Sequence, residues 1–336
     1  LWSVATAACG LSRDFLQLFL SRIGVGIGEA GLSPASYSMM ADLFPKERLA
    51  RPIAVYSVGI YAGSGLAFMV GGAAVTFMAS FGAITLPGVG LLQPWQATFL
   101  LVAAPGIVLL LLLFTIREPE RRLESAGDAN RVPLPRVVAF VREHRRFFAC
   151  HFLGFAAMVT YMGASLAWIP SYFIRVHAWT PHSIGIGFGA VFMAGGIIGI
   201  SCCGSLVERM YRRGHRDAVM RLATVSAALL IVPAALAPLV NDPVVTLLLL
   251  MLAVLLYSIP IALAPTALQL VAPARMRAQL AAAYLFVATL IGLAGGPALT
   301  AVLTDYVFRD ETQVGLSLVA VALIALPVAV ALLAAA

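Results

Sequence analysis

The chain has 336 residues, of which 61% are hydrophobic and only 11% are charged, and its mean hydropathy is +0.97. Soluble domains carry about 25% charged residues, so this composition excludes an ordinary water-soluble domain and predicts a polytopic membrane protein. The net charge of +7 does not by itself indicate a nucleic-acid partner, because the basic residues collect in loops on one side of the apolar runs.

Apolar runs of membrane-spanning length follow one another along the chain. After a short run over 1–11, they occupy 15–41, 52–80, 97–116, 147–174, 183–206, 218–240, 243–268, 279–303 and 312–335. Each can cross a hydrocarbon core of about 30 Å as a helix, and such continuous runs exclude barrel strands. We therefore predict an all-α protein with nine complete spans and a remnant, in which the first run is the second half of a span from an N-terminally truncated chain.

The first complete span contains two charged side chains inside its apolar run, Arg22 and Glu29. Seven residues make nearly two helical turns, so both side chains project from one face, with a rise of about 10 Å between them. A charge in the bilayer centre costs about 3 kcal/mol unless it faces a partner or a water-filled cavity, which favours a functional site. We predict that Glu29 carries a proton and that Arg22 binds an anion, with Ser33 and Tyr37 as further cavity candidates. The alternative is a structural pair that joins two helices.

The basic residues divide unequally between the two sides that the spans define. One side collects 18 of the 22 lysines and arginines, in loops near 46–51, 117–146, 209–221 and 275–277. This positive-inside asymmetry predicts that these loops are cytoplasmic. A bacterial inner membrane is the expected location. The basic residues are also available to anionic lipid headgroups, and we expect no nucleic-acid partner.

The longest polar stretch divides the chain into three predicted domains. They are a truncated transmembrane bundle over 1–116, a cytoplasmic linker over 117–146 and a six-helix transmembrane bundle over 147–336. Six spans follow the linker and only three complete spans precede it.

An internal repeat explains this imbalance. A shift of 228 residues places Asp242 on Asp14, both at short turns, and keeps the spans in register. The repeat predicts an intact protein of 12 spans arranged as two sets of six, of which the first two and a half are missing here. Under the same shift, Tyr257 is the counterpart of Glu29. The charged residues of the predicted site therefore lie in the first half only.

A polar stripe lies in the second half. Tyr161, Ser165, Trp168 and Tyr172 follow one another at helical spacing, on one face of the predicted span 147–174. With Tyr257, these residues are candidates for contact with the aliphatic and hydroxyl parts of an amphipathic ligand. Helix packing is the alternative, since aromatic stripes at this spacing are common in helix interfaces.

The loop after span 183–206 carries a specific motif. The sequence Gly-Ser-Leu-Val-Glu-Arg-Met-Tyr-Arg-Arg over 204–213 resembles the Gly-x-Leu-x-Asp-Arg-x-x-Arg-Arg loop of the major facilitator superfamily. We expect the glycine to permit close helix contact and the glutamate to accept hydrogen bonds from a neighbouring helix N-terminus. The resemblance implies a conformational latch, with simple topogenic charges as the alternative. Its candidate residues are Gly204, Glu208, Arg209, Arg212, Arg213, Asp42 and Arg48.

Patterns in the first half resemble one branch of that superfamily. Arg22-x-x-x-Gly26-x-Gly28-x-Ala30 is similar to the superfamily's motif for proton coupling, and residues 22–72 as a whole resemble the spinster-like branch. Members of that branch move sphingosine phosphate or lysophospholipids. The resemblance implies the major facilitator fold and a proton-coupled secondary transporter that moves an amphipathic, anionic, lipid-like substrate by alternating access. Small organic anions, sugar acids or drugs are the alternative substrates.

Other classes of function lack their sequence signals. The four cysteines and five histidines show no metal-ligand spacing, and no cofactor is expected. A channel needs repeated filter elements and an intramembrane enzyme needs a nucleophile or a second carboxylate, and neither is found. The expected partners are therefore a small-molecule substrate, protons and membrane lipids, and we expect a monomer.

Overall fold

The computed structural model describes residues 1–30, 32, 36, 39, 43, 50–115 and 132–336. Within these residues, eight helices have the length and hydropathy of a membrane span, and the shorter apolar helix Trp2–Leu11 precedes them. The run predicted at 15–41 is helical from Phe15 to Ala30, and most of its remainder lies outside the described residues. The predicted all-α membrane architecture is confirmed.

The helices are numbered here in chain order. They are α1 (Trp2–Leu11), α2 (Phe15–Ala30), α3 (Ala50–Phe81), α4 (Pro94–Ala103), α5 (Pro105–Leu113), α6 (Leu134–Glu143), α7 (Arg145–His177), α8 (Pro181–Arg212), α9 (Ala218–Leu236), α10 (Pro243–Val271), α11 (Arg277–Val287), α12 (Gly295–Val302) and α13 (Val314–Ala335). Short 3-10 segments occupy Ala237–Leu239, Ala274–Met276 and Glu311–Gln313, and π-helical segments occupy Ala288–Ala294 and Leu303–Phe308.

The described residues form two compact units. One lies within Leu1–Ala126 and Thr180–Ile186, and the other within Gly127–Trp179 and Gly187–Ala336. In the second unit, α7 packs along α13 and against the π-helical segment before α12, while α9 packs on both α10 and α13. The three predicted domains, with a linker over 117–146, stay a prediction.

Matching turns support the internal repeat. Helix α2 begins at Phe15 and α10 begins at Pro243, and these positions differ by the predicted shift of 228 residues. Asp14 accepts a hydrogen bond from the backbone N–H of Gln17 at 2.8 Å, and Asp242 accepts one from the backbone N–H of Val244 at 2.8 Å. Each aspartate therefore satisfies a backbone donor in the first turn of the helix that follows it, so the following span begins in the same way in both halves.

Glycines allow α7 to approach the irregular span over 277–308. A Cβ added to Gly292 would lie 2.6 Å from the Cβ of Val159. One added to Gly296 would fall on the carbonyl oxygen of Thr160, whereas one added to Gly295 would meet nothing within 4 Å. Close packing therefore requires glycine at the first two positions and not at the third.

This contrast gives a prediction for neighbouring residues. We expect Gly296→Ala to lower the free energy of unfolding by about 1–3 kcal/mol, because overpacking forces α7 and α12 apart. Gly295→Ala should have no destabilising effect, since alanine is the better helix former by about 0.5–1 kcal/mol. Thermal unfolding in detergent micelles compares the two variants with the native chain. Equal destabilisation by both changes would contradict this packing account.

One feature of the fold was not predicted. Strands β1 (Ile84–Leu86) and β2 (Gly90–Leu92) form an antiparallel hairpin between α3 and α4, with Thr85 opposite Leu91. Gly88, with φ of +79°, follows Pro87 at the tip, where the N–H of Val89 donates to the carbonyl of Leu86. Pro-Gly at these positions favours a type II turn, so the dipeptide between two apolar segments was the available signal.

Candidate functional site

One face of α2 is packed against α1. Gly24 and Gly28 lie one turn apart on this face, and both approach the neighbouring helix closely. A Cβ on Gly24 would lie 3.2 Å from the Cβ of Ala5, and a Cβ on Gly28 would lie 2.7 Å from the backbone nitrogen of Trp2. Small residues four apart allow this approach, as in other membrane helix pairs.

The two charged residues lie on the opposite face of α2. Helical geometry places Arg22 about 160° and Glu29 about 140° around the axis from Gly24, so the two share one face as predicted. Both are exposed, and a Cβ on Gly26 between them would meet nothing within 4 Å. Among the residues that the structure describes, neither charge has an ion-pair partner. The helix backbone at Gly26, between Arg22 and Glu29, is therefore accessible.

An aromatic pair extends this face toward the start of α2. Phe15 and Phe19 are 81% and 50% exposed, and their rings stack with centroids 5.9 Å apart. Their spacing from Arg22 puts them on the same side of the helix. We call Phe15, Phe19, Arg22, Gly26 and Glu29 the open face of α2. The sequence reasoning missed the phenylalanines, although their i, i+4, i+7 spacing to Arg22 was a readable signal.

The polar stripe of the second unit is mostly buried. Tyr161, Ser165 and Tyr257 are 3%, 5% and 2% exposed, and the rings of Tyr161 and Tyr257 lie 6.5 Å apart. Phe192, which the sequence reasoning did not single out, places its ring 6.4 Å from Tyr257. The Oγ of Ser165 is buried one helical turn from Tyr161. The structure thus brings the predicted α7 and α10 candidates together.

The rest of that stripe takes part in packing. The indole Nε1 of Trp168 donates to the carbonyl of Pro297 at 3.0 Å, and the hydroxyl of Tyr172 donates to the carbonyl of Pro238 at 3.1 Å. Arg175, one turn further, forms an ion pair with Glu311 at 3.4 Å. These bonds use the polar atoms of Trp168 and Tyr172, and Trp168 stays a predicted cavity residue with helix packing as its alternative.

The predicted latch residues lie at the end of α8. A Cβ on Gly204 would meet nothing within 4 Å, so the expectation of close helix contact at this glycine is wrong for the part of the chain that the structure describes. Within the part of the chain that the structure describes, Glu208 accepts a hydrogen bond from Arg212 on its own helix and none from a neighbouring helix, and both side chains are exposed. Such surface pairs contribute about 0–1 kcal/mol.

The other two arginines of the predicted latch are Arg209 and Arg213. Arg209 and Arg213 form no ion pair within the described ranges, and Arg209 lies in the last helical turn, where a cation is favourable. The latch therefore stays a prediction, with topogenic charges as the open alternative. Four further candidates lie outside the described residues: Ser33, Tyr37, Asp42 and Arg48.

A family model decides the classification. The model described as Major Facilitator Superfamily matches residues 1–297. The chain belongs to the major facilitator superfamily. It is therefore a multi-pass integral membrane protein of a transporter family, as the composition and the spans predicted.

Relatives support the predicted branch of this superfamily. An MFS-type efflux pump of Mycolicibacterium smegmatis is 26% identical over 321 residues, covering 92% of this chain and 68% of that protein. Protein spinster homolog 1 of Xenopus tropicalis is 28% identical over 335 residues, covering 92% of this chain and 60% of that protein. The chain thus spans about two thirds or less of the length of these relatives, and the spinster-like resemblance is confirmed.

A solved structure shows the same fold. The crystal structure of a bacterial homologue of the human lysosomal transporter spinster, inward-facing and unoccupied, matches with a TM-score of 0.70. The two sequences are 24% identical, and the match covers 99% of this chain and 78% of that one. The predicted major facilitator fold is confirmed.

Proposed function

We propose that this protein is a proton-coupled secondary transporter that moves an amphipathic anion of the lysophospholipid or sphingoid-phosphate type by alternating access. The observation that carries this proposal is the open face of α2, which aligns an exposed aromatic pair, a cation and a carboxylate on one helix. The proposal includes the predicted bacterial inner membrane, the cytoplasmic basic loops and the monomeric state.

Arg22 is the proposed headgroup contact. A guanidinium presents a planar set of donors that matches two phosphate or carboxylate oxygens at once. Phe15 and Phe19 lie about 10 Å and about 5 Å before it along the helix axis, and their exposed rings suit the first methylenes of an acyl chain. A ligand with an anionic head and an apolar tail satisfies both parts of this face, whereas a small hydrophilic anion satisfies only Arg22.

Glu29 is the proposed proton carrier. When it is ionised, its negative charge on the same face repels a substrate anion that approaches Arg22. When it is protonated, this repulsion is removed, so proton and substrate favour each other's binding. A coupling free energy of about 1–3 kcal/mol between two sites is typical of such linkage.

The second unit contributes a separate polar group in this proposal. The hydroxyls of Tyr161, Ser165 and Tyr257 are assigned to polar contact with substrate, supported by the burial of all three side chains and by the proximity of the two tyrosine rings. Arg209, Arg212 and Arg213 are assigned to the latch that stabilises one transport state.

A substrate screen tests the lipid assignment. The full-length protein is reconstituted in liposomes, and uptake of lysophosphatidic acid and sphingosine phosphate is compared with uptake of a hexuronate. Lysophosphatidylcholine, whose headgroup has no net charge, is the matched control for the anionic head. We expect saturable uptake of the two lipid phosphates, about tenfold or more above the control, because charge-assisted hydrogen bonds contribute about 1.5–3 kcal/mol. Uptake of the hexuronate alone would overturn the lipid assignment and favour the sugar-acid alternative.

A further inference from the structure

Helix α6 is docked at the end of the membrane-spanning helix α7. Val137 is 5% exposed, and the ring of Phe140 lies 5.7 Å from the ring of Phe148 on α7. Just before the helix, the carbonyl of Val132 accepts a hydrogen bond from Nε2 of Gln279 at 3.0 Å. The chain turns between α6 and α7 at His144, whose φ of −102° and ψ of 30° are not helical. These contacts hold α6 where the spanning helix leaves the membrane.

A flank of α6 beside these contacts is apolar and exposed. Leu134 and Val138 are 68% and 41% exposed, and they lie one turn apart. Arg142 continues the same stripe at the next turn and is also exposed. An exposed apolar stripe beside a basic group is typical of helices that lie in the headgroup region of a bilayer.

The charges around α6 are unbalanced. Residues 132–146 contain four arginines and one glutamate, which is a net charge of +3 with His144 neutral. Within the described ranges, none of these five charged side chains forms an ion pair. Arg145 and Arg146 begin the spanning helix Arg145–His177, so this excess lies at the membrane surface.

We propose that α6 is an interfacial helix that binds anionic phospholipid. Leu134 and Val138 insert between the headgroups, and Arg142, Arg145 and Arg146 bind phosphates of the surrounding leaflet. An acidic protein surface offers the same charge but no hydrocarbon for the apolar stripe, so the lipid is the partner that fits both features. Each basic residue near an anionic surface contributes about 1 kcal/mol, which is about a fivefold change in affinity.

Brominated lipids test the insertion. Val138→Trp and Ala139→Trp are each made in the full chain and reconstituted in vesicles of phosphatidylglycerol with brominated acyl chains. Ala139 is exposed but lies about 100° away from Val138 around the helix. Bromine quenches nearby indoles, and the four native tryptophans set the background. We expect about threefold more additional quenching at position 138 than at position 139, because only the former faces the acyl chains. Equal quenching at the two positions would overturn the insertion.

A lipid titration tests the charge separately. Thermal unfolding of the protein in neutral detergent is followed as phosphatidylglycerol or phosphatidylcholine is added. We expect phosphatidylglycerol to stabilise the native chain, with an apparent affinity about fivefold weaker in Arg142→Gln. The control is Arg216→Gln, which removes an exposed arginine from another basic loop and should lower the affinity less than Arg142→Gln does, because only the proposed site combines the charge with an inserted apolar stripe. An equal loss in both variants, or no phosphatidylglycerol effect in the native chain, would contradict a specific site.

Discussion

Glu29→Gln should abolish transport driven by a pH gradient and leave substrate binding in place. The change preserves the size of the side chain and removes its titration, so the variant resembles the protonated state that favours the anion. Substrate should therefore bind at least as tightly as in the native protein, while its binding should lose its dependence on pH. Uptake into proteoliposomes with and without an imposed pH gradient, together with direct binding at two pH values, measures both effects.

A matched variant separates this role from a general effect of charge. Asp305→Asn also neutralises an exposed acid near the end of a membrane span, but Asp305 belongs to no proposed site. We expect this control to keep the pH-gradient response of the native protein. A Glu29→Gln variant with unchanged pH dependence would remove Glu29 from the coupling mechanism.

Arg22→Gln should weaken binding of anionic substrates by about tenfold or more, because a charged hydrogen bond is worth about 1.5–3 kcal/mol. Arg22→Lys should recover part of the loss, since an ammonium keeps the charge but not the planar pair of donors. Binding of a neutral monoacylglycerol, which has the tail but no anionic head, should be unchanged in both variants. Equilibrium binding in detergent measures the affinity of each purified protein, native and the two variants, for the anionic and the neutral ligand.

The neutral ligand distinguishes recognition from folding. If Arg22→Gln weakens the anionic and the neutral ligand equally, then Arg22 stabilises the helix arrangement, and the structural alternative for the Arg22–Glu29 pair is favoured. A selective loss of the anionic ligand is the result that the open face predicts.

Span positions and one repeated turn were predictable from the sequence. Apolar runs of about 20 residues or more leave few structural choices in a membrane, because backbone groups there must be bonded within a helix. Asp14 and Asp242 marked helix starts because an aspartate satisfies free N–H groups at that position. Span hydropathy and helix capping depend on residues that are close in sequence, so a single sequence is enough to predict them.

Contacts between distant residues were not predictable. The indole of Trp168 bonds to the carbonyl of Pro297, 129 positions away, and no periodicity in α7 indicates that partner. Gly204 was expected to lie at a helix contact, yet its surroundings are open among the described residues, whereas Gly296 requires glycine. A single sequence shows that a residue is small but not what packs against it.

The open face of α2 was predictable in part. Spacing alone placed Arg22 and Glu29 on one side of a helix, and the helix over Phe15–Ala30 gives that arrangement. The glycines that turn this side away from α1 are Gly24 and Gly28, whose contact with Ala5 and Trp2 is tertiary. Which side of this helix is left accessible therefore depends on the helix packed against it.

Proton movement during substrate transport tests the central claim most directly. The native protein is reconstituted in liposomes that contain a pH-sensitive dye, and lysophosphatidic acid is added outside with no pH gradient imposed. The proposed mechanism predicts a change of internal pH that depends on both protein and substrate, saturates with substrate concentration and is absent in Glu29→Gln. Saturable uptake of the substrate with no accompanying change of internal pH would contradict proton coupling.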